Sequence, residues 1–167
     1  MLTIVSDTHG TDDHRLTGRT LEAVRDAETV VHAGDFTTER VYEAIADEAE
    51  ELVAVRGNNE EPALRERLPA VATLEWHDRR FVVVHGHEHG ETALSLLARQ
   101  EGADVVVVGH SHRPELSASF GCLVVNPGSY ADPRRYRPAH AEVVDTGEEI
   151  RVRLCAPDGT VITEVCQ

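Results

Sequence analysis

Short apolar runs alternate with amphipathic stretches along the first half of the chain. Apolar residues dominate the runs at 2–6, 29–33 and 52–56, and they recur at helical spacing over 12–26 and 39–50. A short continuous apolar run predicts a buried strand, whereas apolar residues three and four apart predict one face of a helix. Strand, helix and strand in succession predict βαβ units, in which the strands are parallel.

Strands become more frequent in the second half of the chain. Segments 71–76 and 80–84 predict a hairpin, and the stretch 92–100 predicts a helix. Four consecutive valines at 105–108 predict a strand that is buried on both faces. Between the two halves, Pro62 and Pro69 bracket a piece that is either helical or irregular. Further strands are predicted at 116–120, 123–126, 139–144, 150–154 and 161–165, with turn signals that join the last three into an antiparallel meander.

Composition adds a strong acidic bias to this pattern. The 30 acidic residues outnumber the 16 basic ones, all of them arginine, and the formal net charge is −14. An acidic excess spread over a whole chain is typical of proteins from salt-loving organisms, where high ionic strength screens self-repulsion. At ordinary salt this charge makes nucleic acid an unlikely partner, although an adaptation to salt weakens that argument.

The 167 residues have the length of one domain, and we predict a single domain over 1–167.

The cysteines of the sequence and its lack of a sorting signal predict where in the cell the protein lies. Cys122, Cys155 and Cys166 are odd in number and form no CxxC pair, which predicts free thiols in a reducing cytoplasm. The chain begins on an apolar run without a basic leader, and no apolar run is long enough to span a bilayer. We therefore expect a cytoplasmic protein with no membrane partner.

Side chains of metal-binding type follow five of the predicted strands. Carboxylate, imidazole and amide ligands without thiolates suit manganese, iron or zinc. Taken singly, the His-Ser-His motif is equally compatible with two solvated histidines, and the Gly-Asn-Asn motif is typical of an ordinary turn. Seven side chains exceed what one ion binds, whereas two ions that share Asp35 can use all of them. The candidate metal ligands are Asp7, His9, Asp35, Asn58, His85, His110 and His112.

Such a pair of ions indicates phosphoester hydrolysis. Two metals about 3.5–4 Å apart suit in-line displacement at phosphorus. A hydroxide that bridges them is the expected nucleophile, and the ions also stabilise charge on the phosphoryl oxygens.

Two polar segments near these strand ends remain open to more than one interpretation. In the cluster at 85–89, His85 is the predicted ligand because it lies nearest the buried strand. His87 is predicted to face the substrate or to support a ligand, and His89 is predicted to be solvated. The loop Asn126-Pro-Gly-Ser129 and the arginines after it either bring donors near an anion or form an ordinary turn.

The ordered motifs DTH, GD, GNN, HGH and GHSH resemble those of the calcineurin-like metallophosphoesterases. The short length, with HAGD and NPGS, is similar to the small bacterial and archaeal phosphodiesterase branch of that family. The resemblance implies an α/β fold, a four-layer αββα sandwich of two mixed β-sheets flanked by helices. It also implies two divalent metal ions, manganese foremost, with zinc, iron or nickel as alternatives. One ion would be held by Asp7, His9, Asp35 and His112, and the other by Asp35, Asn58, His85 and His110.

One departure from the family pattern bears on the reaction. Many relatives carry His after the metal-binding Asn, as proton donor to the leaving group, whereas this chain has Asn59 followed by Glu60. Because an amide cannot transfer a proton, Glu60, His87 or a metal-bound water takes that role, or the substrates need little protonation. We therefore predict hydrolysis of activated phosphodiesters over monoesters. The candidate catalytic residues are Asn58, Glu60 and His87.

Two alternatives stay open. The same fold resembles the retromer subunit related to vacuolar sorting protein 29, a scaffold with a degraded metal site, although all seven ligand positions are filled here. A phosphomonoesterase or pyrophosphatase that acts on a nucleotide is the other alternative. The expected partner is a small phosphoester substrate, and exposed edges of the meander suggest a homodimer.

Overall fold

The protein is described by a computed structural model that covers residues 1–167. Its strands are β1 (Leu2–Val5), β2 (Thr29–His32), β3 (Leu52–Ala54), β4 (Val71–Trp76), β5 (Arg79–Val84), β6 (Val105–Val107), β7 (Glu115–Ser119), β8 (Cys122–Asn126), β9 (His140–Asp145), β10 (Ile150–Cys155) and β11 (Val161–Cys166). Its helices are α1 (Gly18–Asp26), α2 (Glu39–Glu48), α3 (Pro62–Arg67) and α4 (Glu91–Glu101).

The strands form two mixed sheets. The first has six strands in the order β11-β10-β9-β1-β2-β3, and the second has five in the order β4-β5-β6-β8-β7. Parallel pairing joins β1, β2 and β3 in the first sheet and β5, β6 and β8 in the second. The predicted meander is confirmed, because β9, β10 and β11 pair antiparallel. Parallel strands point their carboxyl ends the same way, so each sheet presents one edge where several strand ends meet.

The two sheets pack face to face, with helices on the outer surfaces. In β6, Val105 and Val107 point into the core between the sheets, while Val106 packs outward with Ala98 of α4. In the first sheet, Val30 packs outward with residues near and in α1. These layers confirm the four-layer sandwich, and they explain why the valine strand lacks polar positions. None of the four helices is long and apolar enough to cross a membrane.

Helix α1 is shorter than its pattern predicts. It begins at Gly18, and the predicted helix over 12–26 is therefore wrong in its first six residues. Arg15 has a φ of 56°, which is left-handed backbone that the interior of an α-helix cannot contain, and Gly18, where α1 begins, has a φ of 55°. The segment before α1 instead lies against the end of β1, where the Arg15 guanidinium donates to the carbonyl oxygen of His9 at 3.3 Å.

Candidate metal centre

The seven predicted ligands follow the carboxyl ends of parallel strands. Those from the first sheet follow β1, β2 and β3, and those from the second follow β5 and β6. Side chains from both sheets come within contact distance, since the imidazole Nε2 of His9 lies 3.3 Å from that of His112. The structure thus brings the ends of five strands to one place. The first-sheet residues are Asp7, His9, Asp35 and Asn58, and the second-sheet residues are His85, His110 and His112.

Left-handed backbone is concentrated at these residues. Non-glycine residues rarely adopt positive φ, and clusters of such residues mark functional sites in which the fold overrides local preference. Five of the seven ligands are in this conformation. They are Asp7 (φ 54°), His9 (41°), Asp35 (62°), His110 (65°) and His112 (59°).

Two glycines allow the ligand carboxylates to approach the backbone closely. A Cβ on Gly57 would lie 2.1 Å from Oδ1 of Asp35, and one on Gly109 would lie 3.0 Å from Oδ2 of Asp7. In the space left open, the backbone N–H groups of Asn58 and Asn59 donate to Oδ1 of Asp35 at 2.8 and 3.0 Å. The glycines are therefore part of how the loops position both acids.

Asp7, His9 and His112 form the first cluster of ligand atoms. Oδ2 of Asp7 accepts from the Ser6 hydroxyl at 2.6 Å, whereas its Oδ1 is buried without any hydrogen-bond partner. That orphaned oxygen lies 3.2 Å from Nε2 of His112 and 3.8 Å from Nε2 of His9. The Nδ1 of His112 donates to the carbonyl oxygen of Asp132, which leaves the lone pair on Nε2 to face Asp7. A cation bound here would supply the partner that Oδ1 of Asp7 lacks.

Asp35, His85 and Asn58 form a second group beside the first. Nδ1 of His85 donates to the carbonyl oxygen of Ala33 at 2.7 Å, so the lone pair lies on Nε2. This Nε2 is 3.4 Å from Oδ2 of Asp35 and 3.1 Å from Oδ1 of Asn58. Oδ2 of Asp35 also lies 3.5 Å from Nε2 of His9 and therefore stands between the two groups.

The close packing of acids and imidazoles shifts the pKa values of His85 and Asp35. Burial lowers the pKa of His85, but the Asp35 and Asp7 carboxylates outweigh that effect and raise the pKa above its ordinary value. Burial likewise raises the pKa of Asp35, but the neighbouring His85 imidazole and the Asn59 amide hold that pKa well below the usual range. The site thus favours a negatively charged Asp35 and attracts positive charge, as a cation site requires.

His110 and His87 lie at the open side of the centre. The His110 ring centroid is 5.2 Å from that of His85, its side chain is exposed, and its backbone N–H donates to Oδ2 of Asp7 at 3.0 Å. The His87 ring lies 5.3 Å from His85 and 6.1 Å from His110. Burial, followed by the neighbouring His85, lowers the pKa of His87. His89 is half-buried, in contrast to the solvated position that the sequence predicts.

Asn59 and Glu60 follow β3, and both make hydrogen bonds to Asp35. The Asn59 amide donates to Oδ2 of Asp35 at 2.6 Å. Glu60 is buried, and its Oε1 accepts the backbone N–H of Asp35 at 2.6 Å while its Oε2 accepts that of Gly57 at 2.9 Å. Both Glu60 oxygens are engaged by the loops, so the carboxylate does not face the open side, as a proton donor would.

The loop Asn126-Pro-Gly-Ser129, for which the sequence leaves two interpretations open, has a supporting role that neither interpretation predicts. The Ser129 hydroxyl donates to the carbonyl oxygen of Asp7 at 2.7 Å, and the Asn126 amide donates to that of Gly109 at 2.9 Å. The Asn-Pro-Gly-Ser loop thus braces the ligand loops of β1 and β6. The only sequence signal for this role is that the loop comes at the end of another parallel strand, β8.

His32 is a second buried support. Its Nδ1 accepts the backbone N–H of Gly34 at 3.1 Å, which leaves Nε2–H to donate to the Thr8 hydroxyl at 3.1 Å. Burial lowers the pKa of His32 to about 3, so the ring is neutral at physiological pH. It links the loop after β1 with the loop after β2, and nothing in its spacing along the chain indicates this.

Another buried group of metal-binding type lies away from the centre, between α1 and the meander. It consists of His140, Glu142 and Cys155. The two Glu142 oxygens accept from the Arg19 guanidinium at 2.7 and 3.0 Å, and His140 contacts the Thr20 hydroxyl at 3.0 Å. Because these partners occupy the acid, the group acts as an internal ion-pair network that fastens α1 to β9.

Comparisons with known proteins agree with the geometry. Residues 1–149 match the model of the calcineurin-like phosphoesterase superfamily domain. The "probable metallophosphoesterase YsnB" of Bacillus subtilis is 34% identical over 170 residues, covering 97% of this chain and 94% of that protein. "Phosphodiesterase MJ0936" of Methanocaldococcus jannaschii is 32% identical over 139 residues, covering 75% and 81%. The fold is similar to that of wild-type Vps29 complexed with zinc from Entamoeba histolytica, with a TM-score of 0.80, 22% identity and coverage of 99% and 98%.

Proposed function

Because the chain belongs to the calcineurin-like phosphoesterase superfamily, we propose that it is a phosphodiesterase that works with two divalent metal ions. The observation that carries the proposal is the position of Asp35. Its Oδ2 lies between Nε2 of His9 and Nε2 of His85, at 3.5 and 3.4 Å. A carboxylate oxygen flanked by two imidazole nitrogens is suited to bridge a pair of cations.

The donor set would divide between two ions at Asp35. Bound there, the ions would supply Lewis-acid stabilisation and an activated water for in-line displacement at phosphorus. We expect manganese foremost, and a cytoplasmic setting at high salt, from the donor types and the composition. The residues for one ion are Asp7, His9, Asp35 and His112, and those for the other are Asp35, Asn58, His85 and His110.

Protonation of the leaving group distinguishes diesters from monoesters. Asn59 and Glu60 are both committed to the loops, which leaves His87 as the group at the open side that is not itself a candidate metal ligand. Its lowered pKa favours a neutral ring, which donates a hydrogen bond to the substrate but holds no surplus proton at neutral pH. Monoester cleavage through a loose transition state leaves much charge on the departing oxygen. We therefore propose that activated phosphodiesters are hydrolysed faster than the matched monoesters.

The scaffold alternative rests on the likeness to Vps29, which concerns the fold alone. One such structure is itself described as a zinc complex, so metal binding does not separate a scaffold from an enzyme. Turnover of a phosphoester separates the two. The likeness to "Phosphodiesterase MJ0936", at 32% identity, favours the enzyme.

Hydrolysis of bis(p-nitrophenyl) phosphate and p-nitrophenyl phosphate tests the proposal. Chelator-stripped protein in molar potassium chloride is assayed with added manganese, nickel, zinc or magnesium. Diester turnover is expected only with metal, and it should disappear in Asp35→Asn and His110→Ala. Matched controls are Asp78→Asn and His77→Ala in the β4–β5 turn, at the other end of β5 from His85, which should retain turnover. Folded, metal-loaded protein that hydrolyses neither ester would contradict the enzyme, and faster monoester turnover would contradict the diester preference.

A further inference from the structure

A groove leads from the metal centre to the turn of the β7–β8 hairpin. We call it the hairpin groove. It has a volume of about 450 Å³, within the range of small-molecule sites. His110 lines it together with Leu94 of α4, Ser117 and Val124 of the hairpin strands, and Phe120 of the hairpin turn. A substrate bound at the centre therefore meets an existing cavity on the His110 side.

Side chains alternate between the two faces of β7, and the face that lines the groove is polar. Glu115, Ser117 and Ser119 line the groove, whereas Leu116 on the opposite face packs against the core between the sheets. The Ser117 and Ser119 hydroxyls make no hydrogen bond within the protein, and both are only half-buried. They are therefore free to donate to, or accept from, a bound molecule.

Phe120 occupies an unfavourable position at the end of the groove. It forms the hairpin loop with Gly121, and its φ is 59°. Two-residue loops with positive φ favour Asn, Asp or Gly at this place, because a bulky side chain is strained there. Strain of this kind often marks a functional position. Here it brings an aromatic ring into the wall of the groove, where a flat ring can stack on it.

Charge in the groove disfavours an anionic occupant. Its charged residues of fixed sign are Glu91 and Glu115, and no arginine lines it. Arg113 lies outside and pairs with Glu115, Nε to Oε2, at 3.5 Å. A second phosphate in the groove would meet carboxylates rather than guanidinium groups.

From these features we propose that the hairpin groove binds one alcohol moiety of the diester, an uncharged flat group of nucleoside size. Leu94, Val124 and Phe120 provide apolar and aromatic contact, and the serine hydroxyls provide hydrogen bonds to ring or sugar. This inference rests on the proposed function for its place in catalysis, but the groove itself can be tested by binding alone.

Binding of thymidine to the metal-free protein, followed by NMR, is the first test. Thymidine is expected to bind the wild-type chain. Ser117→Phe fills the groove and should abolish binding, whereas Ala118→Phe, on the other face of the same strand, should bind as wild type. Phe120→Asn suits the turn but removes the ring and its packing near Ala98 and Val106, so its fold is checked by circular dichroism, and it should weaken binding about tenfold. Absence of binding to wild type, or equal binding by Ser117→Phe and Ala118→Phe, would overturn the proposal.

Kinetics with metal-loaded enzyme form the second test. The ratio of KM for thymidine 5′-p-nitrophenyl phosphate to KM for methyl p-nitrophenyl phosphate should rise about tenfold in Phe120→Asn and stay constant in Ala118→Phe. A lower KM after addition of a 3′-phosphate to the thymidine would contradict an uncharged occupant. Thymidine binding without any diester turnover would support the groove and contradict the phosphodiesterase. Diester turnover without thymidine binding would support the phosphodiesterase and contradict the groove as a binding site.

Discussion

The Asn59 side chain donates from Nδ2 to Oδ2 of Asp35 at 2.6 Å, on the oxygen that faces both His9 and His85. A partner of this kind fixes the orientation of a ligating carboxylate and affects affinity for the metal.

Asn59→Ala is therefore expected to weaken metal binding by about 10- to 100-fold. Titration of the stripped protein with manganese against a competing chelator measures this. Gln100→Ala, which removes an exposed amide from α4, is the matched control and should bind as wild type. Unchanged affinity in Asn59→Ala would show that Asp35 needs no such support.

Glu60→Gln distinguishes a structural acid from a proton donor. The substitution places an N–H group against backbone N–H donors of Asp35 or Gly57, and we expect it to lower the free energy of unfolding by about 1–3 kcal/mol. Denaturant unfolding of the metal-free protein measures the effect, with the exposed Glu66→Gln as control. A Glu60→Gln protein of unchanged stability whose pH–rate profile loses one limb would instead identify Glu60 as the proton donor.

Gly57→Ala should disrupt the centre through the backbone. The added Cβ would lie 2.1 Å from Oδ1 of Asp35, so the carboxylate or the loop must move. We expect loss of most metal-dependent diester turnover in a protein that still folds, as seen by circular dichroism. Gly90→Ala is the control, since nothing lies within 4 Å of a Cβ there. Wild-type activity in Gly57→Ala would contradict the close packing of this loop.

Acid stability should depend on Glu142. Burial raises the pKa of Glu142, but His140 and Arg19 outweigh it and lower the pKa to about 2. Because the folded pKa lies below the unfolded one, this stabilisation is complete above about pH 4.5 and is lost as pH falls toward 2. It amounts to about 3 kcal/mol at neutral pH.

Unfolding measured from pH 6 to pH 3 tests this dependence. Glu142→Gln should be less stable than wild type at pH 6, and the difference should shrink as the pH falls. The exposed Glu148→Gln is the control and should follow wild type throughout. A constant difference across this range would show that the stabilisation is not electrostatic.

The three thiols should react at very different rates. Burial, followed by the Glu142 charge, raises the pKa of Cys155 to about 11, and burial also raises that of Cys122, whereas Cys166 is exposed. A thiol reagent at pH 8 should therefore label Cys166 fast and the other two only after denaturation. Cys166→Ser should remove the fast phase. Rapid labelling of Cys155 in the native protein would contradict the packing between α1 and the meander.

The sequence predicts the candidate metal ligands more fully than it predicts the residues that hold those ligands in position. His85 and His112 are visible because each follows a buried valine run, and parallel strand ends converge by geometry alone. The carbonyl of Asp132, which orients His112, belongs to a loop far along the chain, and no local pattern encodes such a contact. The start of α1 is missed for a related reason, because apolar spacing does not report the left-handed backbone at Arg15.

The centre draws its ligands from both sheets, and this has a consequence for the molecule as a whole. The candidate ligands of the first sheet end at Asn58 and those of the second begin at His85, so two metal ions bound as proposed would join distant parts of the chain. They would close a loop as a covalent cross-link does, in a protein whose three cysteines form no disulfide. This clamp is reversible, and its strength follows the free metal concentration around the protein. The cell's supply of metal ions would then set how firmly the two halves of the sandwich are held together, as well as how fast the enzyme works.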